Sequence, residues 1–474
     1  MNKFKQLIII TICSVFTTPL LGQDFSSAWL EIDQQEKTQV MEFAEEFKDF
    51  MAVARSELWF VREGVELAEA EGFQPWSPDV NSSSMQPGSR WYAINRDRTL
   101  VLFIIGNSPI TDGIRIVNTH IDSPRLEFKT IPFRDRNGVV TIDTQVHGGI
   151  KNYQWVNIPL GIIGRVDKTD GSTVWVEIGM DADDPILLIT DLAPHVDDDY
   201  RDRTQRDVIA TEELEPIIAS LPVANDSQFD MPSDRLLAIL NDQYGIASED
   251  LLSADLQIIP VTQPRDVGLD RALVAAYGQD DRSTAYVSLR AIADVGIPEQ
   301  TVFAYAVNNE ETRSWNTGVN SEWFNTLIAE LINSTTGSFS DLDLRRTYAQ
   351  TKVLVSDTTT ALNPLFPSPQ NPVLTSRLGY GLVVKEYGPG REANSEFFAY
   401  IRGVFDDANI KWQTHSYDAG YGGGTIAAWF AGQNMDVIDV GIGIVSMHSP
   451  YELSSKIDLW ELYGGFKAFY EAEL

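Results

Sequence analysis

Cysteine is nearly absent from this chain of 474 residues, which contains only Cys13. One cysteine cannot form a disulfide within the chain, so the sequence excludes a small extracellular module held together by disulfides. With 43% hydrophobic residues, the chain is long enough to build a large core without such links. The length allows two or three domains, or one large domain with an insertion.

Basic residues are also scarce, with 36 lysines and arginines against 68 acidic residues and a formal net charge of -32. Such a field repels nucleic acid and anionic membranes, and no basic patch offsets it. We therefore expect no nucleic-acid partner. The charge is compatible with a salty habitat, with basic substrates or with metal cations, and charge alone does not choose among them.

Long apolar runs are lacking as well. The N-terminal segment "MNKFKQLIIITICSVFTTPLLGQ" has Lys3 and Lys5, then a short apolar stretch, then small and polar residues. This is the pattern of a signal peptide, and its apolar part is too short for a membrane span. We predict a signal peptide over residues 1–22 with cleavage after Gly22. The mature protein would then be periplasmic or secreted, with no membrane anchor and no cysteine.

The rest of the chain alternates between helical and strand patterns. Apolar residues at helical spacing predict helix over residues 34–73, and a hairpin then leads into the strand "GIRIVNTHIDSP". A β-rich region follows, and strands alternate with helices again from about residue 271. We predict an α/β domain formed by residues 23–132 and 263–474, interrupted by a β-rich insertion over residues 133–262.

Histidine is rare, and two of the five histidines have informative surroundings. They are His120, His147, His195, His415 and His448. His120 lies in "NTHIDSP" at the end of a strand, and Asp122 lies two residues on, on the same face of an extended chain. A carboxylate there could fix the imidazole tautomer, as partners of metal-binding histidines do. His448 lies in "VGIGIVSMHSPYE", where an apolar strand becomes polar.

Acidic residues also follow predicted strands. Asp280 and Asp281 lie in "GQDDRS", Asp357 in "VLVSDTTTALNP", and Glu310 and Glu311 in "VNNEETRS" after the apolar run "TVFAYAV". Sites in open α/β sheets form at the carboxyl ends of strands. These groups could hold two divalent cations with one bridging aspartate. Singly, each has a simpler interpretation: a structural histidine, a helix cap or a solvated turn.

Taken together, these segments resemble the aspartyl aminopeptidase and vacuolar aminopeptidase I family of dinuclear zinc exopeptidases. The similarity covers "NTHIDSPRLEFK", "VNNEETRS", "VSDTTTALNP", "GYGGGTIAAWFAGQNMDVIDVGI" and "VSMHSPYE", in order, from about residue 45 to the C-terminus. The resemblance implies a three-layer α/β/α phosphorylase/hydrolase-like zinc peptidase domain. It also implies that the β-rich insertion is an oligomerisation domain.

The resemblance assigns roles residue by residue. The implied metal ligands are His120, Asp280, Glu311, Asp357 and His448. Asp280 would bridge two Zn²⁺ per subunit, with Mn²⁺ or Co²⁺ as alternative metals. Glu310 takes the general-base position, and Asp122 the position that orients the histidine.

On the substrate side the sequence departs from the family. Tyr153 stands where relatives have a histidine that reaches across a subunit interface, and Thr360 and Asn363 replace two further histidines. Arg313 replaces a glycine, and Asp281 an asparagine. Lys385 matches a family lysine, and Gly424 lies in the glycine-rich segment. Tyr153, Lys385 and Gly424 are the candidate substrate-binding residues.

These observations predict a periplasmic or secreted zinc aminopeptidase that acts on peptides and forms a homo-oligomer, a dimer or a dodecamer. Two alternatives stay open. The first is another two-metal hydrolase, such as a deacylase or carboxypeptidase, and the second is a catalytically impaired peptide-binding homologue.

Overall fold

The structure is a computed structural model that describes residues 26–221, 231–312, 316–368, 370–387, 393–417 and 425–472. The predicted signal peptide, Arg313 and Gly424 lie outside the described residues. In the described part, the helices are α1 (Gln34–Val53), α2 (Glu57–Ala70), α3 (Pro232–Tyr244), α4 (Gln279–Ala293), α5 (Trp323–Thr336), α6 (Asp341–Ala349), α7 (Ser395–Asp407), α8 (Ala427–Gly432) and α9 (Lys456–Glu471).

Most strands in the described residues coincide with apolar or alternating segments of the sequence. In chain order they are β1 (Gln74–Pro75), β2 (Arg90–Ile94), β3 (Leu100–Ile104), β4 (Ile114–His120), β5 (Arg125–Arg136), β6 (Val139–His147), β7 (Leu160–Asp167), β8 (Thr173–Ile178), β9 (Ile217–Ala219), β10 (Ala254–Pro260), β11 (Arg265–Val267), β12 (Leu273–Ala276), β13 (Thr301–Val307), β14 (Lys352–Ser356), β15 (Thr359–Thr360), β16 (Leu382–Tyr387), β17 (Trp412–Ser416), β18 (Asp436–Gly441), β19 (Gly443–Ile444) and β20 (Glu452–Ser455).

A nine-stranded sheet forms the centre of the molecule, in the order β1-β2-β3-β13-β4-β14-β18-β16-β17. The four central strands β13, β4, β14 and β18 are parallel to one another. Every residue of β4 and of β13 is buried, as expected for parallel strands covered on both faces. Because these strands are parallel, their carboxyl ends meet at one edge of the sheet.

Helices cover both faces of this sheet. On one face, Phe47 of α1 and Phe466 of α9 pack with Val117 of β4 in one apolar cluster. On the other face, Phe324 of α5 packs with Phe303 of β13 in a second cluster. The alternation of buried side chains along each strand sends neighbouring residues to opposite clusters. The prediction of a three-layer α/β/α fold is therefore confirmed.

A second, six-stranded sheet has the order β8-β7-β10-β5-β6-β9, and its paired strands are antiparallel. It has its own apolar core, in which Leu236 of α3 packs with Ile142 and Ile258. This sheet begins at β5, so the predicted boundary at residue 133 falls within that strand. The division of the chain into domains at 132/133 and 262/263 stays a prediction.

The chain passes from the central sheet to the second sheet at the end of β4. His120 is the last residue of β4, and β5 begins at Arg125. This short connection brings the second sheet close to the carboxyl edge of the central sheet. Among the described helices, none combines the length and the apolar character that crossing a membrane requires.

Candidate metal centre and active site

The candidate residues occupy the carboxyl edge of the central sheet. His120 ends β4 and pairs in register with Val307, the last residue of β13. Glu310 and Glu311 follow β13 closely, and Asp357 follows β14 directly. Parallel strands therefore bring together residues that are far apart in the sequence. Two further elements complete the edge, the first turn of α4 and the segment after β19.

His120, Asp281 and Asp357 form one group whose potential ligand atoms lie within 4.8 Å of one another. The Nε2 atom of His120 is 3.8 Å from an Asp357 carboxylate oxygen. The Nδ1 atom of the same ring donates to the backbone oxygen of Asp122 at 3.0 Å. This bond fixes the tautomer that presents Nε2 to the centre. The orienting contact thus runs through the main chain of Asp122, whose carboxylate lies slightly farther away, at 3.4 Å.

Asp280, Glu311 and His448 form a second such group. The Nε2 atom of His448 is 3.2 Å from an oxygen of each carboxylate. Its Nδ1 atom donates to the backbone oxygen of Gly149 at 2.8 Å. Both histidines therefore present Nε2 to carboxylates and are held through Nδ1 by a main-chain carbonyl.

Asp280 lies between the two groups. Its Oδ1 atom is 3.4 Å from Nε2 of His120, and its Oδ2 atom is 3.2 Å from Nε2 of His448. Oδ1 is buried, and none of the described residues donates a hydrogen bond to it. A buried carboxylate oxygen without a donor is unfavourable unless a cation balances it. Each carboxylate oxygen of Asp280 therefore faces a different histidine.

The electrostatics of the cluster also fit bound cations. Burial and neighbouring carboxylates raise the pKa of Glu310 to about 7 and that of Glu311 to about 8. The same causes raise the pKa of Asp281 well above its usual range. Burial opposes protonation of His448, yet Asp280 raises the pKa of this histidine to about 10. Divalent cations would supply the missing positive charge, and nitrogen and oxygen donors suit zinc.

Asp122 is completely buried and connects several parts of the site. One carboxylate oxygen accepts the backbone N–H of Glu310 at 3.1 Å, and the other accepts that of Glu311 at 3.2 Å. His147 contacts the second oxygen at 2.9 Å. The contacts with histidines lower the pKa of Asp122 against the effect of burial. Asp122 thereby fixes the main chain that carries both glutamates.

The candidate substrate residues have different positions. Lys385 is buried, donates to the backbone oxygen of Thr358 at 2.8 Å and lies 3.6 Å from an Asp357 carboxylate oxygen. Tyr153 is 36% exposed in the 3-10 turn Asn152–Gln154, and it is not among the residues grouped around the two histidines. Gly424 lies outside the described residues.

The sequence placed Asp281 beside Asp280 among the acids that could hold cations, but the implied ligand set left Asp281 out, and Glu452 was not considered. Glu452 is buried, and its carboxylate accepts the backbone N–H of His448 at 2.7 Å and that of Asp280 at 3.1 Å. Its position four residues after His448 was the available signal. It ties together the main chains of two candidate ligands.

Histidines and carboxylates gathered at the carboxyl ends of parallel strands, in an α/β/α fold, define a metal-dependent enzyme. A family model described as Aminopeptidase I zinc metalloprotease (M18) matches residues 50–470. The chain belongs to this M18 family and is a zinc metalloaminopeptidase.

Individual relatives agree with the family match. A probable M18 family aminopeptidase 1 of Clostridium acetobutylicum is 34% identical over 95% of this chain and 98% of the relative. The crystal structure of an M18-family aminopeptidase from Thermotoga maritima is 32% identical, covers 95% of this chain and 100% of that chain, and has a TM-score of 0.88. A structure described as the S. cerevesiae mApe1 dodecamer is 21% identical and covers 90% of this chain and 96% of that chain. Its TM-score of 0.75 shows a similar fold.

Proposed function

We propose that this enzyme removes N-terminal amino acids from peptides with two zinc ions per subunit, and that Glu310 is its general base. The observation that carries the proposal is the position of Asp280, whose two carboxylate oxygens each face a different histidine. His120 and Asp357 would hold one ion, with Asp281 beside them. His448 and Glu311 would hold the other, and Asp280 would bridge the two.

The chain's own residues divide the remaining work. When bound, the two zinc ions supply Lewis-acid polarisation of the scissile carbonyl and a lowered pKa for the attacking water. Glu310 accepts a proton from that water and passes it to the leaving amine. The positive charge of bound cations would favour the ionised form of Glu310, which is the form that accepts a proton. Asp122 supports this role because it holds the backbone of Glu310.

The test compares metal content with hydrolysis by the full-length protein. Chelator-treated and zinc-reconstituted enzyme are assayed on leucine p-nitroanilide and on its N-acetylated form. We expect two zinc ions per chain at full activity, and cleavage of the free-amine substrate only. Release of acetate from the blocked substrate would instead identify a deacylase, and release of nitroaniline from it another two-metal hydrolase. Full activity with one ion per chain would contradict the dinuclear assignment.

We further propose a broad selectivity for the N-terminal residue. Lys385 is engaged with Thr358 and Asp357, so its ammonium group is committed to the protein. Thr360 and Asn363 cannot provide cationic partners. On a panel of Leu, Ala, Asp, Glu and Lys p-nitroanilides, we expect kcat/KM for Leu and Ala to be at least as high as that for Asp and Glu. The limit for this expectation is a tenfold preference for Asp over Leu, or about 1.4 kcal/mol. A larger preference for Asp would show that a cation still recognises a carboxylate.

Two wider properties belong to this proposal. The N-terminal pattern around Lys3 and Lys5 supports export to the periplasm or medium, and mass spectrometry of the exported protein would show a start after Gly22.

Homo-oligomerisation is supported by the mApe1 structure described as a dodecamer. It is also supported by exposed apolar side chains in the connection between β8 and β9, such as Ile186 and Val196.

A further inference from the structure

His147 contacts the candidate active site from the second sheet. It is the last residue of β6, only 5% exposed, and pairs in register with Arg125 of β5. Its Nε2 atom lies 2.9 Å from Oδ2 of Asp122, and its Nδ1 atom lies 3.0 Å from Oε1 of Glu127. With a carboxylate at each ring nitrogen, both nitrogens donate. The ring is therefore held as an imidazolium between two acids.

The contact with Asp122 matters because that carboxylate is buried. Oδ1 accepts the N–H of Glu310, and Oδ2 accepts the N–H of Glu311 and the proton of His147. Of these donors, only His147 brings a positive charge and lies outside the loop that Asp122 organises. Without it, Oδ2 would keep a single backbone donor. A buried carboxylate with fewer donors is less tightly fixed and more costly to ionise.

A chain of charged groups behind His147 holds the ring in place. Glu127 is 2.9 Å from Nη2 of Arg125, and the same nitrogen donates to Glu57 of α2 at 3.3 Å. Gln257 of β10 donates to Glu57 at 2.8 Å. These partners come from α2 and from two strands of the second sheet, β5 and β10. The position of His147 is therefore set by the framework of that sheet and not by the loops of the site.

The two residues after His147 reach the other half of the site. Gly149 accepts the hydrogen bond from His448. Gly148 has a φ of +72°, and a Cβ atom at this position would lie 3.0 Å from Oε2 of Glu311. The end of β6 thus approaches both halves of the centre, and a side chain at position 148 would crowd a candidate ligand.

We propose that His147 is a positioning residue for the reaction: it donates to Asp122 and so fixes the Glu310–Glu311 main chain and the candidate metal ligands beside it. This inference rests on the proposed function. It gives the second sheet a role in forming the active site of its own subunit, in addition to any role in association.

The experiment compares His147→Leu, which keeps side-chain volume but has no donor, with His147→Gln, whose amide can still donate to Asp122. His195→Ala changes an exposed histidine in a loop and is the matched control. We expect His147→Leu to lower kcat and zinc affinity by about 10–100-fold each, with KM changed less than about threefold. His147→Gln should recover both to within about fivefold of wild type, and His195→Ala should leave both unchanged.

Zinc affinity is measured by chelator competition on the full-length protein, so it does not depend on which substrate is cleaved. If wild type binds zinc but does not cleave peptides, the proposed function fails, and zinc affinity still tests His147. The inference is overturned if His147→Leu stays within twofold of wild type in zinc affinity. It is also overturned if His147→Gln, with the Tm of wild type, is as defective as His147→Leu. If His147→Leu does not fold, His147→Gln provides the test alone. A loss of zinc affinity of more than fivefold in His147→Gln would contradict a donor role for His147.

Discussion

Glu310 and Glu311 are neighbours in the chain, but their electrostatic surroundings differ. After burial, the groups that influence Glu310 most are His120 and Asp357, which belong to one candidate metal group. For Glu311 they are Asp280 and His448, which belong to the other. Both residues lie in the turn that follows β13, and their different neighbours show that each glutamate faces a different half of the centre. The pair can therefore divide ligation and proton transfer.

This division predicts different effects for two conservative substitutions. Glu310→Gln removes the proton acceptor and keeps the side-chain shape, so kcat should fall by at least about 10²–10⁴-fold while two zinc ions remain bound. Glu311→Gln removes an anionic ligand, so zinc affinity should fall together with activity. Metal analysis and steady-state kinetics of both variants check this.

Glu322→Gln, which changes an acid away from the centre, serves as the control and should behave as wild type. Near-normal activity of Glu310→Gln would rule out Glu310 as the general base. Equal zinc loss in the two glutamine variants would show that both glutamates are ligands.

At the scale of elements, helix α9 carries a buried glutamate, Glu461, whose ionisation affects the stability of the fold. Glu461 of α9 is buried and accepts the backbone N–H of Lys411 at 2.9 Å. Burial raises the pKa of Glu461 to about 7, although this hydrogen bond acts in the opposite direction. The ionised form is thus less favourable in the folded protein than in the unfolded chain. Between about pH 4.5 and 7, the folded state holds a proton that the unfolded state has released.

The contribution of Glu461 to the free energy of unfolding should therefore be greatest below the unfolded pKa and be lost as the pH rises through 7. Glu461→Gln removes this titration and keeps a carbonyl acceptor for Lys411. From pH 5 to pH 8, we expect wild type to lose about 1–3 kcal/mol more unfolding free energy than the variant. Urea denaturation at both pH values measures the difference.

Glu471→Gln, at the exposed end of α9, is the matched control and should follow wild type at each pH. Effects of pH on zinc binding are common to all three proteins and cancel in the comparison. If the difference in unfolding free energy between Glu461→Gln and wild type is the same at pH 5 and pH 8, the pKa of Glu461 is not raised.

At the scale of the whole molecule, two sheets with separate cores contribute to one site. The central sheet supplies the candidate ligands, and the end of β6 in the second sheet contacts Asp122 and His448. The connection between β8 and β9, two strands of this sheet, also carries exposed apolar side chains. Single exposed apolar residues are common on monomers, but several on one segment favour association.

We therefore predict that the protein is at least a dimer at micromolar concentration, measured by light scattering. Ile186→Asp places a charge on the proposed contact surface and should shift the mass towards one chain. Ile186 is 52% exposed, and Leu342 on α6 is 53% exposed, so Leu342→Asp is a matched control outside the connection between β8 and β9. A wild-type mass equal to one chain would contradict the prediction.

Much of the fold and the composition of the site could be predicted from the sequence. The buried strands "TVFAYAV" and "GIRIVNTH", the helical spacing after Gln34 and the α/β alternation follow from local periodicity. The histidines and acids of the site were noticed because they lie at predicted strand or loop ends. The family resemblance then implied the ligand set His120, Asp280, Glu311, Asp357 and His448. The predicted helix over residues 34–73 is divided at Ser56, whose side chain accepts from Trp59 and begins α2; such a cap acts over a few residues and was not recognised.

Only the tertiary structure decided which groups touch across long separations. His147 meets Asp122, and Asp122 meets the N–H groups of Glu310 and Glu311, which are 188 and 189 residues away. Periodicity reports which face of an element is buried, but carries no information about which strands pair or which strand ends meet. Those contacts depend on the order β13-β4-β14-β18 and on the second sheet that follows β4, because packing of the complete chain selects that order.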